Sequence, residues 1–229
     1  MIADNINIVS EKIAERCDNI GRKLSEITVV AVSKTNPLSA IREAFSAGLT
    51  NFGENKAQEL RDKNSELELN VNWHFIGHLQ TNKVKYVIEP STLIHSVDST
   101  KLADEINTRA ELIGKVQNIL LEVNTSGEVS KFGLQNEAEV IEITDYINTL
   151  KNVNLKGLMT MAPYTADVNE IRKCFVGLWN LKDKLVKIGY NLSDLSMGMT
   201  NDYEIAIEEG STILRIGSAI FGERNYKGK

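Results

Sequence analysis

Cysteine is nearly missing from this chain. Cys17 and Cys174 are the only two in 229 residues, and they stand in no metal-like spacing. That excludes a disulfide framework or a zinc ribbon and reads as thiols kept in a reducing compartment, which predicts a cytoplasmic protein. No apolar run approaches the roughly 18 residues that a membrane helix needs, and Asp4, Asn5 and Asn7 break up the start where a signal peptide would lie. Basic charge is not in excess: 26 Lys and Arg face 31 Asp and Glu, for a net charge of −5, which argues against a nucleic-acid footprint and against attraction to anionic membranes. Any anion must be captured locally, against the overall field. The chain also lacks a glycine-rich turn after its first strand-like run, since Val32 is followed by Ser33-Lys34-Thr35, and this disfavours an open dinucleotide-binding sheet. No linker, repeat or low-complexity stretch divides the sequence, so residues 1–229 are expected to form a single domain.

What is present alternates. Ile2, Ile6, Val9, Ile13 and Ile20 recur near helical spacing, predicting an amphipathic helix over residues 1–20 that packs on the domain. Apolar, β-branched runs then predict strands at 28–34, 49–53, 71–77, 93–97, 116–123, 153–161, 192–197 and 212–216. Helical patterns separate them at 37–48, 54–67, 81–88, 99–113, 136–150, 168–188 and 201–209, and an eighth helix is brief or absent. Strand–helix alternation implies a parallel sheet with right-handed crossovers. Eight units in this length predict an α/β fold, a closed (β/α)8 TIM-type barrel with an extra N-terminal helix.

In such a barrel the carboxyl ends of the strands share one mouth, and the residues there are candidates for chemistry. The first run ends on Lys34. A partly desolvated amine loses some proton affinity, and its neutral form attacks carbonyls to make a Schiff base. The seventh and eighth strands end in Ser196-Met197-Gly198-Met199-Thr200 and Arg215-Ile216-Gly217-Ser218, the two places where barrels often hold phosphate. Glycine there allows close backbone approach, while hydroxyls and N–H groups donate to an anion. A lysine and a phosphate seat on one mouth suggest pyridoxal phosphate. Arg215 beside the pyridine nitrogen, in place of a carboxylate, would leave that nitrogen unprotonated and weaken the cofactor as an electron sink. His74 and His78 lie four apart, but Phe75-Ile76-Gly77 between them looks extended, so His74 is read as a hydrogen-bonded core or rim residue and no metal site is expected.

These residues fall in a familiar order: Ala31-Val32-Ser33-Lys34-Thr35, Phe52-Gly53-Glu54-Asn55, Trp73-His74-Phe75-Ile76-Gly77, Gly157-Leu158-Met159-Thr160-Met161, Leu195-Ser196-Met197-Gly198-Met199-Thr200-Asn201-Asp202 and Arg215-Ile216-Gly217-Ser218. Over nearly its whole length the chain resembles the pyridoxal phosphate homeostasis protein family, similar in fold to the N-terminal barrel of alanine racemase. The resemblance implies that Lys34 carries the cofactor as an aldimine and that Arg215 faces the pyridine nitrogen. It further implies that Ser196, Met199, Thr200, Gly217 and Ser218 surround the phosphate, that Asn55 lies near the cofactor, and that Lys131, in Ser130-Lys131-Phe132-Gly133, assists release or transfer. Lys56 stands where an aromatic residue is frequent in the family, which removes support for stacking at that position.

A racemase needs acid and base on opposite faces of a substrate α-carbon. Lys34 supplies one; in alanine racemase a tyrosine from a second domain supplies the other, and no counterpart is visible here, although Tyr203 is an internal candidate. The expectation is therefore a monomeric carrier that buffers pyridoxal phosphate and delivers it to apo-enzymes that depend on it, without turnover. A weak amino-acid racemase and a Schiff-base aldolase acting on a sugar phosphate are the alternatives.

Overall fold

Each predicted apolar run becomes one strand of a closed parallel barrel in the computed structural model, which describes residues 1–128 and 131–223. The strands are β1 (Thr28–Val32), β2 (Asn51–Glu54), β3 (Asn72–Phe75), β4 (Ser91–Val97), β5 (Gln117–Glu122), β6 (Val153–Met159), β7 (Asp194–Ser196) and β8 (Ile213–Ile216). They pair in chain order, and β8 returns to β1 with Val30 opposite Arg215 and Ala31 opposite Ile216. Parallel neighbours need a crossover, and helices supply them: α2 (Leu38–Ser46), α3 (Ala57–Glu66), α4 (Val84–Val87), α5 (Thr100–Leu112), α6 (Glu137–Ile147), α7 (Val168–Lys187) and α8 (Tyr203–Glu208).

After β8 the helix α9 (Ser218–Phe221) is a single turn, the brief eighth helix expected. The N-terminal helix α1 (Ile2–Asn19) covers that side of the barrel, packing on α2, α8 and α9. Ile6, Val9, Ile13 and Cys17 form its buried stripe, whereas Ile20 caps the helix and is exposed. Asn5 donates from Nδ2 to the Ile220 carbonyl at 3.0 Å, and Arg16 reaches Glu204 and Glu208 at 2.6 and 2.8 Å.

Several strands are shorter than their apolar runs. β1 stops at Val32, two residues before Lys34, because its pairing with β2 ends at Val32 opposite Gly53 and Thr35 turns the chain at φ +65°. The predicted helix at 81–88 is a 3₁₀ turn (Thr81–Lys83) followed by α4.

The barrel interior is layered. Alternate strand residues face the axis, so two steps along a strand climb one layer. Val30, Leu93, Leu120, Met159 and Ile213 make an apolar plug. One layer up, Leu93 gives way to His95, Leu120 to Glu122 and Ile213 to Arg215, while Ile94, Leu121 and Leu214 face outward into the core under the helices.

His74 and His95 are buried in the polar layer, with His74 Nδ1 2.9 Å from His95 Nε2 and His95 Nδ1 2.9 Å from Ser196 Oγ. The chain ends at Asn51 Oδ1, 3.3 Å from His74 Nε2, and at Arg215, which donates to Ser196 Oγ. Arginine can only donate and an amide oxygen can only accept. The protons therefore run one way: Ser196 donates to His95 Nδ1, His95 donates from Nε2 to His74, and His74 donates from Nε2 to Asn51. Both imidazoles are neutral. Burial pushes His74 down to about 4 and, with His74 and Arg215 adding to it, pushes His95 well below its ordinary value.

Two outcomes follow. A Cβ at Gly157 of β6 would lie 1.9 Å from the Asp194 carbonyl oxygen of β7, so Gly157→Ala should lower unfolding free energy by about 3 kcal/mol in chemical denaturation. Because the native state refuses protons that an unfolded His74 accepts, stability should fall as pH drops from 6.5 toward 4, this residue accounting for roughly 3 kcal/mol. Denaturation of His74→Gln across that range should show a shallower slope.

Candidate functional site

The strand ends open on a cavity of about 490 Å³, within the usual range for a small-ligand pocket. Lys34, Asn55, Met199, Thr200, Arg215, Gly217 and Ser218 all line it. Residues from β1, β2, β7 and β8 meet there because the barrel's last strand pairs with its first.

Lys34 enters from the turn that follows β1. Ser33 N–H donates to the Gly53 carbonyl at 3.0 Å, continuing the β1–β2 ladder, and Thr35 is the only non-glycine residue at positive φ among those described. Asn55 follows β2 and crowds Gly77, where a Cβ would come within 2.4 Å of the Asn55 carbonyl oxygen. Glycine at 77 is what lets the third strand's exit pass so close to the second's.

Arg215 is buried on β8. Its Nη1 donates to the Ser196 carbonyl at 2.8 Å and to Ser196 Oγ, and Nη2 donates to the Thr160 carbonyl at 2.8 Å. Three of the five guanidinium protons are thus used, and no described residue accepts the other two. Burial lowers Arg215 to about 10, against the pull of Asp202 and Glu122, so it stays cationic at neutral pH.

Ser196 is not on the cavity wall. As an inward residue of β7 it lies beneath, tied to Arg215 and His95. The Met199 side chain reaches the cavity, but its N–H donates to Asp202 Oδ1 at 2.5 Å. Thr200 Oγ1 accepts from the Ala219 N–H at 3.3 Å, joining the loops after β7 and β8. Lys131 also stands off the wall, pairing with the Glu128 carboxylate and donating to the Ala162 carbonyl at 3.1 Å. Ser130 of its motif lies outside the described residues. Tyr203 is buried in α8 and does not line the cavity.

Sequence reasoning placed His78 at the strand ends but missed two cavity groups, Glu122 and Asp202. Glu122 is almost fully buried; burial first, then Asp98, raises its carboxyl to about 7 against the influence of Arg215. The signal was the inward alternation Leu120, Glu122 on a strand read only as apolar. Asp202 is buried and its carboxyl is raised by burial, against its bond from Met199 and the charge of Arg215. His78 stacks on Phe132 with ring centroids 3.9 Å apart, a contact between distant loops with no local sequence signal.

Residues 8–225 match the model of the alanine racemase N-terminal domain family. A pyridoxal phosphate homeostasis protein of Aquifex aeolicus is 45% identical over 226 residues, covering 97% of this chain and 98% of that one. The structure of PipY from Synechococcus elongatus PCC7942 with PLP bound superposes with a TM-score of 0.80 at 33% identity, covering 92% of this chain and all of PipY. An alanine racemase of Clostridium difficile 630 shares the fold with a TM-score of 0.72 at 16% identity, over 95% of this chain and 57% of the racemase. By identity, coverage and fold together, this chain belongs to the pyridoxal phosphate homeostasis protein family.

Proposed function

We propose that the protein binds pyridoxal 5′-phosphate reversibly through Lys34, buffers its free level and hands it to apo-enzymes that depend on it, with no turnover of its own. The observation that carries this reading is that Lys34, Arg215 and the loops after β7 and β8 line one cavity. The donor set suits the cofactor: an amine for the aldehyde, a buried cation with two N–H groups that no described residue accepts, and hydroxyls at Thr200 and Ser218 for an acceptor-rich phosphate. When bound, pyridoxal phosphate supplies an aldehyde that condenses reversibly with a lysine amine.

The chain's own residues do the rest. Lys34 presents its side chain to the cavity from a turn rather than from mid-strand. Arg215, held by Ser196 and Thr160, keeps a positive charge where a strong electron sink would need a carboxylate. That favours holding over carbanion chemistry. Asn55 borders the same space, with Ser196 as the support that aims Arg215 and Met199 as an apolar wall. We assign Lys131, outside the wall, the role of meeting cofactor on its way out.

Racemisation would need a second acid–base group facing Lys34 across a substrate. Tyr164 is the one tyrosine among the described cavity-lining residues, and at 98% exposure it has no packing to fix it there. We further take residues 1–229 to work as one monomeric cofactor-binding barrel, with the helix at 1–20 packed on it. Two buried thiols and the absence, among described residues, of any helix long and apolar enough to cross a membrane support a cytoplasmic setting.

The protein mixed with pyridoxal phosphate should turn yellow; borohydride reduction should bleach the colour while fixing the adduct as a secondary amine, and peptide mass spectrometry should find it on Lys34. Lys34→Ala should lower that adduct by ~100-fold. An adduct on another lysine would overturn the reading. Loaded protein incubated with single-enantiomer amino acids in deuterated water should exchange α-protons far below the roughly 1–10³ per second of working enzymes, as followed by NMR. Sustained exchange at such rates would make it a racemase.

A further inference from the structure

Behind Lys34, on the side away from the cavity, lies a second set of charged groups that the binding reading does not use. Lys63 of α3 is buried, with 9% of its surface exposed. Its ammonium donates to three acceptors: the Ser33 carbonyl at 2.9 Å, Glu54 Oε1 at 2.8 Å and Glu59 Oε1 at 2.7 Å. An ammonium has three protons, so all are used. The two carboxylates then grip the same turn. Glu54 Oε1 accepts from Ser33 Oγ at 2.6 Å, and Glu59 Oε1 accepts from the Thr35 N–H at 2.6 Å.

Lys34 is thereby bracketed: the residue before it is held at its carbonyl and hydroxyl, and the residue after it at its amide. Thr35 sits at φ +65°, a conformation that a β-branched residue adopts only when its surroundings impose it. Glu54 completes the picture, because it is fully buried and its Oε2 has no hydrogen-bond partner among the described residues. A buried ion pair with an orphaned oxygen is a poor source of stability compared with an apolar replacement, and its best-attested use is to fix a geometry.

We propose that Lys63, Glu54 and Glu59 form a positioning clamp that holds the Ser33–Thr35 turn in its strained shape and so aims the Lys34 amine into the cavity. The proposal rests on the reading of Lys34 as the cofactor lysine. None of the three residues lines the cavity; they act through the residues on either side of Lys34. Glu59 and Lys63, four apart on a helix, would otherwise pass for an ordinary exposed ion pair.

The test uses two readouts on the full chain. The first needs no cofactor: trace acetic anhydride labelling of each lysine, read by mass spectrometry, with exposed Lys101 as the internal reference. The second is the rate at which pyridoxal phosphate yields a borohydride-fixed adduct on Lys34. In Lys63→Met, the Lys34 labelling rate relative to Lys101 should change by about five-fold or more, and adduct formation should slow by roughly ten-fold or more. Lys63→Arg, which restores charge and donors, should recover most of both. Should Lys63→Met fail to fold, Glu59→Ala removes the Thr35 acceptor from a partly exposed site and should shift both readouts the same way, while Glu59→Gln, which keeps an acceptor oxygen, stays near the parent protein.

Folded Lys63→Met or Glu59→Ala protein with Lys34 labelling and capture within about two-fold of the parent would overturn the clamp. So would equal losses in the Lys63→Arg and Lys63→Met proteins. If the parent protein places its adduct on a different lysine, the carrier reading fails instead, and the anhydride labelling still decides whether the clamp governs Lys34.

Discussion

A guanidinium buried at the top of a closed barrel must be solvated by protein, and much of this interior is arranged around that requirement. Arg215 has no carboxylate within ion-pair distance among the described residues. Backbone carbonyls of Ser196 and Thr160 and the Ser196 hydroxyl supply its first contacts, and Asp202 and Glu122 act on it from further off. Carbonyl dipoles cost less to bury than a second full charge. They also leave the cation uncancelled, so that its field reaches the cavity. The neutral His95 and His74 continue the same logic downward: each passes a hydrogen bond along and adds no charge beside Arg215.

The polar layer is possible only because an apolar one lies beneath it. Val30, Leu93, Leu120, Met159 and Ile213 close the barrel from below, and the residues two positions on, in β4, β5 and β8, are His95, Glu122 and Arg215. Strand periodicity thus converts sequence position into depth. A one-residue slip in β8 would turn Arg215 out among the helices and bring Leu214 or Ile216 into the cavity floor.

That conversion also explains what could be read from the sequence. The strands were legible because β-branched apolar runs with polar ends have one stable use in a chain of alternating helices. Lys34 and Arg215 were legible because each is a lone charge within such a run. Ser196 was legible as a strand end but not in direction, which depends on register with β8 and hence on the closed barrel. Glu122 hid in a run taken as uniformly apolar, and His95 within Leu93–Val97 for the same reason. The Lys63 cluster was illegible for a different cause: an i, i+4 Glu–Lys pair on a polar helix reads as a solvated face, and only the tertiary fold shows that this face is turned toward the Ser33–Thr35 turn.

Lys34, in the turn after β1, and Arg215, on β8, are far apart along the chain yet meet through strands that pair only when the barrel shuts, with Val30 opposite Arg215. Bringing the two ends of so long a segment together is an entropic cost that grows slowly with length, and it falls on the β1–β8 seam more than on any seam between consecutive strands. The seam is buttressed from outside by α1, which packs on α2, α8 and α9 where the eighth helix is a single turn. A ligand bridging Lys34 to the loops after β7 and β8 would span the same seam from inside and would need the closed barrel to make all its contacts. By mass action such a ligand stabilises the closed barrel in proportion to the logarithm of its concentration over its dissociation constant. The occupancy of such a ligand would therefore be coupled to closure of the seam that the N-terminal helix buttresses from outside.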